Sequence, residues 1–172
     1  YKLGDVLTAR DGTTVEVKNT DAEGRIVMMD AIALAVEEGV DAIIDIATLT
    51  GAALMALGQL TAPVLGNDQR VVDLTLAASA VTGEPLWQLP LERKYRPQLD
   101  SDVADLANIG GRYAGATTAA LFLDHFTRKT PWAHLDIAGT MAVDADESWR
   151  SKGATGFGAR LLLETALTFT KA

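Results

Sequence analysis

The chain has 172 residues, a net charge of −8 and an apolar fraction of 48%. This length is sufficient for one domain with a substantial core. The acidic charge argues against a nucleic-acid surface, which needs a basic stripe, and no apolar run approaches the roughly 18 residues of a membrane span. Cysteine is absent and only two histidines occur, so disulfides and thiolate zinc sites are excluded. A metal ion would be held largely by carboxylate oxygens.

Strand and helix patterns alternate along the chain. In order, they predict a strand over 13–17, a helix over 25–38, a buried strand over 42–48, helices over 68–81 and 117–127, a second buried strand over 132–137 and a closing helix over 157–169. The helix over 25–38 is apolar almost all round, which indicates a helix buried on every side. The alternation predicts one α/β domain over residues 1–172, with a mainly parallel sheet and helices on both faces. The site of such a sheet lies beyond the carboxyl ends of its strands.

The run over residues 18–25 combines two acids, one base and small residues. If the run is extended, Asp21, Glu23 and Arg25 share one face. Such a face is either a metal site or a solvated charge network. The run directly precedes the apolar helix, and its arginine falls in the first helical turn, where the helix dipole disfavours a cation. An anion bound at this helix start would account for the arginine.

Two strands carry the same pattern of one acid among apolar residues. Asp45 lies in 44–47 and Asp136 in 135–138, and each is either a structural acid or part of a site. Small residues, hydroxyls and one methionine follow these strands over 48–51 and 139–141. At the ligand-binding edge of a sheet they predict a shallow apolar pocket.

Other candidate features favour structural roles. The glycine-containing segment 108–115 lacks the pattern of a P-loop or a dinucleotide fingerprint and indicates a tight turn into a helix. His134 lies inside the second buried strand, as expected of a core histidine. No serine or cysteine stands in a recognisable nucleophile setting, so a covalent hydrolase is unsupported.

Residues 19–25 match the signature of the leucyl (cytosol) aminopeptidases, a family of dinuclear metallopeptidases. Further segments resemble that family in the same order, namely 4–6, 47–52, 107–110, 132–139 and 152–156. The resemblance therefore covers essentially the whole chain and implies the α/β catalytic fold of that family.

The resemblance implies a role for each residue of the signature. Asp21 would bind one metal ion, Glu23 would help bridge two, and Arg25 would hold a bicarbonate ion and steady the tetrahedral intermediate. The metals would be manganese or zinc, or magnesium. The substrate's first side chain, preferably leucine-like, would be received by Thr48, Leu49, Gly51, Ala138 and Met141.

Part of the family's metal centre has no counterpart in this chain. A ligating lysine, two aspartates and a catalytic lysine precede the signature in family members, and no segment here resembles theirs. The chain, which begins at Tyr1, therefore resembles the C-terminal part of the catalytic domain and is predicted to be inactive alone. The full-length parent would be a cytoplasmic homo-hexamer acting on peptides, without membrane or nucleic-acid partners. One alternative is a non-catalytic structural or oligomerisation fragment of that fold. Another is a small-anion or nucleotide binder using Arg25 and the loop at Gly110 and Gly111.

Overall fold

A computed structural model describes residues 1–170 of the chain. Its elements, in chain order, are β1 (Val6–Thr8), β2 (Thr14–Glu16), α1 (Glu23–Glu37), β3 (Ile43–Ala47), α2 (Gly51–Leu57), β4 (Ala62–Gly66), α3 (Gln69–Thr82), β5 (Leu86–Gln88), a 3₁₀ helix (Arg93–Leu99), β6 (Leu106–Ala107), α4 (Gly115–Phe126), β7 (Trp132–Asp136), β8 (Ala142–Val143), β9 (Gly153–Ala154) and α5 (Ala159–Thr168). The predicted α/β class is confirmed. All seven predicted elements are present, and the additional elements are the 3₁₀ helix, β1, α2, β4, β5, β6, β8 and β9. Within residues 1–170 no helix is long and apolar enough to cross a membrane.

The main sheet has four strands in the order β3-β7-β4-β5. β3 runs parallel to β7 and β4 runs parallel to β5, whereas β4 and β7 are antiparallel. The sheet is therefore mixed, with parallel pairs on either side of one antiparallel junction. Helix α2, between β3 and β4, has seven residues. At about 10 Å it is shorter than a five-residue strand of about 16 Å, so it does not carry the chain back to the end of the sheet at which β3 starts. β4 accordingly runs in the opposite direction to β3.

Strand β7 lies in the centre of the fold, and all five of its residues are buried. Its side chains alternate between two hydrophobic clusters. Trp132 packs in the cluster that contains α1 and α4, while Ala133 and Leu135 pack in the cluster that contains α3 and α5. The predictions of a buried second strand and of helices on both faces of the sheet are thus confirmed.

Strand β3 differs from its prediction. The sequence indicates a strand covered on both faces, but only Ile43 is buried and the other four residues are half-buried. Within the described part of the chain, β3 pairs only with β7, so it forms an edge of the sheet. One missing neighbour accounts for the partial exposure.

Helix α1 is also less covered than its composition predicts. Ile26, Met29 and Ile32 are buried in the core, whereas Val27 is 71% exposed and Leu34 is 42% exposed. The prediction of burial on every side is wrong for residues 1–170. In these residues α1 packs mainly against α4, which covers one side of the helix.

Candidate active site

The signature residues lie in a turn and a helix start. The chain turns at Thr20 and Asp21, and α1 begins at Glu23. The prediction that Asp21, Glu23 and Arg25 share one face of an extended segment is therefore wrong. On a helix, positions two apart are rotated by roughly 200°, so Glu23 is directed to the surface while Arg25 enters the core.

Arg25 is a buried cation without a hydrogen-bond partner on two of its nitrogens. The residue is 5% exposed, and neither Nε nor Nη1 has a partner in the described part of the chain. Burial lowers the pKa of the guanidinium to about 10, although attraction to Asp136 and Glu23 partly opposes this shift. Arg25 is thus charged at neutral pH and has unsatisfied donors, which is the state expected of an anion-binding group.

The two carboxylates of the signature are exposed at the same end of α1. Within residues 1–170, neither the Asp21 nor the Glu23 side chain forms a hydrogen bond or a salt bridge. The described residues contain no group of three or more histidine, cysteine, aspartate or glutamate side chains that could hold a metal ion. Two free carboxylates suit divalent metal ions, but they fit only part of a dinuclear centre.

Asp136 joins the carboxyl ends of β3 and β7. Its buried carboxylate accepts hydrogen bonds from the backbone N–H groups of Leu49 at 3.0 Å and Thr50 at 3.2 Å, and from the Thr50 hydroxyl at 2.6 Å. It also accepts from the N–H of Ala138 at 3.3 Å. The Thr50 hydroxyl in turn accepts from Ala53 N–H at 3.1 Å and caps α2. Asp136 therefore holds together the two loops that carry the predicted pocket.

The predicted pocket residues follow two adjacent parallel strands. Thr48, Leu49 and Gly51 come after β3, and Ala138 and Met141 come after β7. Leu49 and Ala138 are half-buried, while the other three are exposed.

Part of this pocket floor touches the start of α1. A Cβ placed on Gly24 would lie 3.3 Å from Leu49 Cδ1. Asp136, which accepts the Leu49 N–H, also attracts Arg25. The structure therefore brings Arg25, Leu49 and Asp136 into one region. Met141 lies further along its loop, where its carbonyl accepts from Thr155 N–H at 2.9 Å.

Asp45 lies away from these loops, inside the sheet. Its carboxylate accepts from Trp132 Nε1–H at 2.5 Å and pairs with Nδ1 of His134. Of the two alternatives that the sequence leaves open for Asp45, these contacts match the structural acid. His134 is a fully buried core histidine, as predicted, but its Nε2 has no partner in the described residues.

Asn108 is a site residue that sequence reasoning missed. Its fully buried amide contacts the signature loop, which we define as residues 18–22. The sequence offered one signal, a polar residue between the apolar Leu106–Ala107 and Ile109. Without knowledge that β6 pairs with β2, nothing connects this residue to a loop 86 to 90 positions earlier. The turn predicted for 108–115 leads into α4, which begins at Gly115 after Ala114 in the left-handed conformation.

Comparisons with known proteins show the family to which the chain is similar. Residues 1–163 match the catalytic domain of the cytosol aminopeptidase family. The chain is similar to proteins named "Probable cytosol aminopeptidase" from three bacteria. It is 51% identical to that of Synechococcus sp. (strain JA-3-3Ab) over 164 residues, which are 95% of this chain and 32% of the relative. It is 47% identical to that of Alkaliphilus metalliredigens over 171 residues, 99% of this chain and 34% of the relative.

The third relative, from Geobacter sp. (strain M21), is 51% identical over 95% of this chain and 33% of its own length. The chain thus spans about a third of the length of these curated relatives. The family match covers nearly all of the chain, and the relatives carry the same family name. The chain belongs to the cytosol aminopeptidase family.

Proposed function

We propose that this chain supplies part of the active site of a dinuclear metal-dependent aminopeptidase that removes leucine-like residues from the amino terminus of peptides. The observation that carries the proposal is the buried Arg25 guanidinium, which has free donors beside the exposed carboxylates of Asp21 and Glu23. A folding role alone does not account for an unpartnered buried cation, because its desolvation is unfavourable. Membership of the family supplies the reaction class.

In this proposal Asp21 and Glu23 would hold divalent metal ions, with manganese, zinc or magnesium as the candidates. When bound, such metals activate a water molecule and polarise the scissile carbonyl. The residues described here fit this role in part, since two free carboxylates are available and no third acidic or histidine ligand lies near them in residues 1–170. The other ligands would come from the remaining two thirds of a full-length parent.

Arg25 holds an anion, which we propose to be bicarbonate, and stabilises the developing oxyanion. Its position in the core keeps water away from the guanidinium and strengthens this interaction. The neighbouring Asp136 and Glu23 favour the charged form of the arginine, so the pKa of about 10 leaves it protonated at neutral pH.

Asp136 acts through the two pocket loops. It fixes the backbone of Leu49 and Thr50 and thereby sets the floor that receives the substrate side chain. An apolar pocket of this kind discriminates modestly, by about 1–3 kcal/mol per methylene group. The proposed lining is Thr48, Leu49, Gly51, Ala138 and Met141, and Leu49 also offers its backbone carbonyl.

The whole protein's setting is part of the same proposal. Residues 1–172 would form the C-terminal part of a single catalytic domain, within a cytoplasmic homo-hexamer whose substrates are peptides. The name of the family, cytosol aminopeptidase, supports the location. The second candidate is a non-catalytic structural or oligomerisation fragment, which the incomplete set of metal ligands in residues 1–170 favours.

A chimera tests the function directly. This chain replaces the matching third of the Synechococcus relative, and hydrolysis of leucine-p-nitroanilide is measured with added Mn²⁺. We expect metal-dependent turnover that falls at least 100-fold in Arg25→Ala, in line with the loss of an oxyanion-stabilising donor. Arg10→Ala is the matched control, because Arg10 contacts Glu37 at the other end of α1. A folded chimera without activity, or one unaffected by Arg25→Ala, would refute the proposal.

The isolated chain tests the claim that the site is partial. We expect no turnover of leucine-p-nitroanilide with Mn²⁺, and weak Mn²⁺ binding that the double variant Asp21→Asn/Glu23→Gln removes. Two carboxylates provide too few ligands for tight binding. Robust turnover, or a submicromolar dissociation constant by calorimetry, would show that this chain holds a complete centre.

A further inference from the structure

We propose that Asn108 is a positioning residue for the metal-ligand loop, and that its side-chain amide sets where the Asp21 carboxylate stands relative to Glu23. The inference rests on the proposed function, since it assigns a role to a residue that lies next to the ligands and carries no charge. Asn108 follows β6 and lies in a different part of the sequence from the loop that it contacts.

All of the amide's hydrogen-bonding groups are directed at the signature loop. Oδ1 accepts from the backbone N–H groups of Lys18 at 2.8 Å and Asn19 at 3.1 Å. Nδ2 donates to the carbonyl oxygens of Asn19 at 2.6 Å and Ala22 at 3.4 Å. One side chain thus contacts both ends of the loop, on either side of Asp21.

Asn108 is itself firmly anchored. Its backbone N–H donates to the carbonyl of Glu16 at 2.9 Å, and the preceding residue, Ala107, pairs with Glu16 in the β2–β6 ladder. The side chain is fully buried. Because a buried amide exchanges its partners only at the cost of unsatisfied polar groups, this anchor resists movement.

The loop has few other restraints. The Asp21 carboxylate has no hydrogen bond within residues 1–170, and Ala22, which precedes α1 in the capping position, provides no side-chain cap. The remaining bonds of the loop are a turn from Ala22 N–H to the Asn19 carbonyl at 3.3 Å, one from Asp21 N–H to Asn19 Oδ1 at 2.9 Å, and an ion pair at 3.3 Å between Lys18 Nζ, at the exposed end of its side chain, and Glu16 Oε2. Asn108 therefore supplies the buried contacts that tie the loop to the sheet, as partners behind metal ligands commonly do.

A matched pair of variants of the chain tests this role. Asn108→Ala is compared with Asn67→Ala, because the Asn67 side chain also has four hydrogen-bond partners: three acceptors within reach of the two Nδ2 hydrogens, and Trp132 N–H, which donates to Oδ1. None of these partners lies in the signature loop. Amide hydrogen exchange reports the order of the loop. Mn²⁺ titration followed by paramagnetic broadening of the Asp21 and Glu23 amides reports metal affinity, and it detects weak binding.

We expect Asn108→Ala to remove exchange protection at the Lys18 and Asn19 amides and to weaken Mn²⁺ binding at least about tenfold, the usual effect of removing a partner behind a metal ligand. Asn67→Ala should leave both readouts unchanged. If Asn108→Ala binds Mn²⁺ as tightly as the unsubstituted chain, or if Asn67→Ala weakens binding equally, the inference is overturned and the proposed metal site stands. If Mn²⁺ does not broaden the Asp21 and Glu23 amides of the unsubstituted chain, both the inference and the proposed metal site are overturned.

Asn108→Asp keeps the test decisive if the alanine variant does not fold. The new carboxylate retains an acceptor for the Lys18 and Asn19 N–H groups but replaces the donor that faces the carbonyls of Asn19 and Ala22. We expect the two amides to remain protected while Mn²⁺ affinity falls. Unchanged Mn²⁺ affinity in Asn108→Asp would overturn the proposal.

Discussion

Two helix starts in this molecule each have a buried charge beside them. The two charges differ in sign and in whether hydrogen bonds within the described residues satisfy them. Glu84 precedes β5 in the sequence, and its carboxylate lies against the start of α5. The residue is 4% exposed, and the carboxylate accepts hydrogen bonds from the N–H groups of Gly158 at 3.1 Å and Leu161 at 2.8 Å. Arg160 adds an ion pair at 3.7 Å. Arg25, in the first turn of α1, is 5% exposed and lacks a partner for Nε and Nη1 in the described residues.

The sign of the charge sharpens the contrast. A helix start favours an anion and disfavours a cation, so Glu84 stabilises α5 while Arg25 opposes the dipole of α1. The first arrangement is explained by folding alone. The second breaks a local rule with only the attraction of Asp136 and Glu23 to offset it, and Nε and Nη1 have no hydrogen bond in residues 1–170; such places are where functional groups are expected. The comparison thus separates a charge kept for stability from one to which we assign a ligand in our proposal.

Removing the satisfied charge has the largest expected effect. Glu84→Ala leaves the N–H groups of Gly158 and Leu161 without an acceptor, and we expect the free energy of unfolding to fall by about 3 kcal/mol. Urea denaturation followed by circular dichroism measures this. Glu84→Gln, which keeps one acceptor, should lose roughly 1 kcal/mol. A loss in Glu84→Ala no larger than in Glu84→Gln would contradict the capping role.

Removing the unsatisfied charge should have the opposite sign. Arg25→Met keeps the length of the side chain without the buried cation, and we expect the free energy of unfolding to rise by about 2 kcal/mol at neutral pH. The pH dependence checks the cause. The folded pKa of about 10 is below that of an unfolded arginine, so the folded state releases its proton first.

The unsubstituted chain should therefore gain stability relative to Arg25→Met as the pH rises above about 10. Urea denaturation of both chains at about pH 8 and about pH 11 measures the difference, with Arg10→Met as the control for an exposed arginine. Arg25 would be shown to contribute to folding if Arg25→Met were less stable than the unsubstituted chain. The same would follow if the difference between their free energies of unfolding did not narrow as the pH rises.

Much of the fold could be predicted because its main signals are local. The apolar runs that became β3 and β7, and the helical patterns that became α3 and α5, occur within short windows of sequence. The direction of β4 against β7 could not be predicted in this way, since it depends on the path of the chain around α2. Exposure of Val27 likewise depends on which segments pack against α1, a tertiary property that composition does not contain.

The roles of the candidate site residues stay a prediction, and only their placement in the fold can be compared with the sequence. Residue types identified Asp21, Glu23 and Arg25, and the idea of an anion at the start of α1 agrees with the free donors of the arginine. The extended geometry was wrong because α1 begins at Glu23, with Ala22 in the capping position and no side-chain cap to mark it. Asn108 was missed because its role arises only when β6 pairs with β2.

Bicarbonate gives the smallest expected effect and bears most directly on the comparison. A ligand that binds only the folded chain stabilises it by about 1 kcal/mol at roughly five times its dissociation constant. We expect this increase in the unsubstituted chain and its absence in Arg25→Met, measured as thermal unfolding against chloride at equal ionic strength and pH. Glu84→Ala should respond to bicarbonate at least as much as the unsubstituted chain, because its Arg25 site is intact. Equal stabilisation of the unsubstituted chain and Arg25→Met would place the anion elsewhere and leave the unpaired guanidinium unexplained.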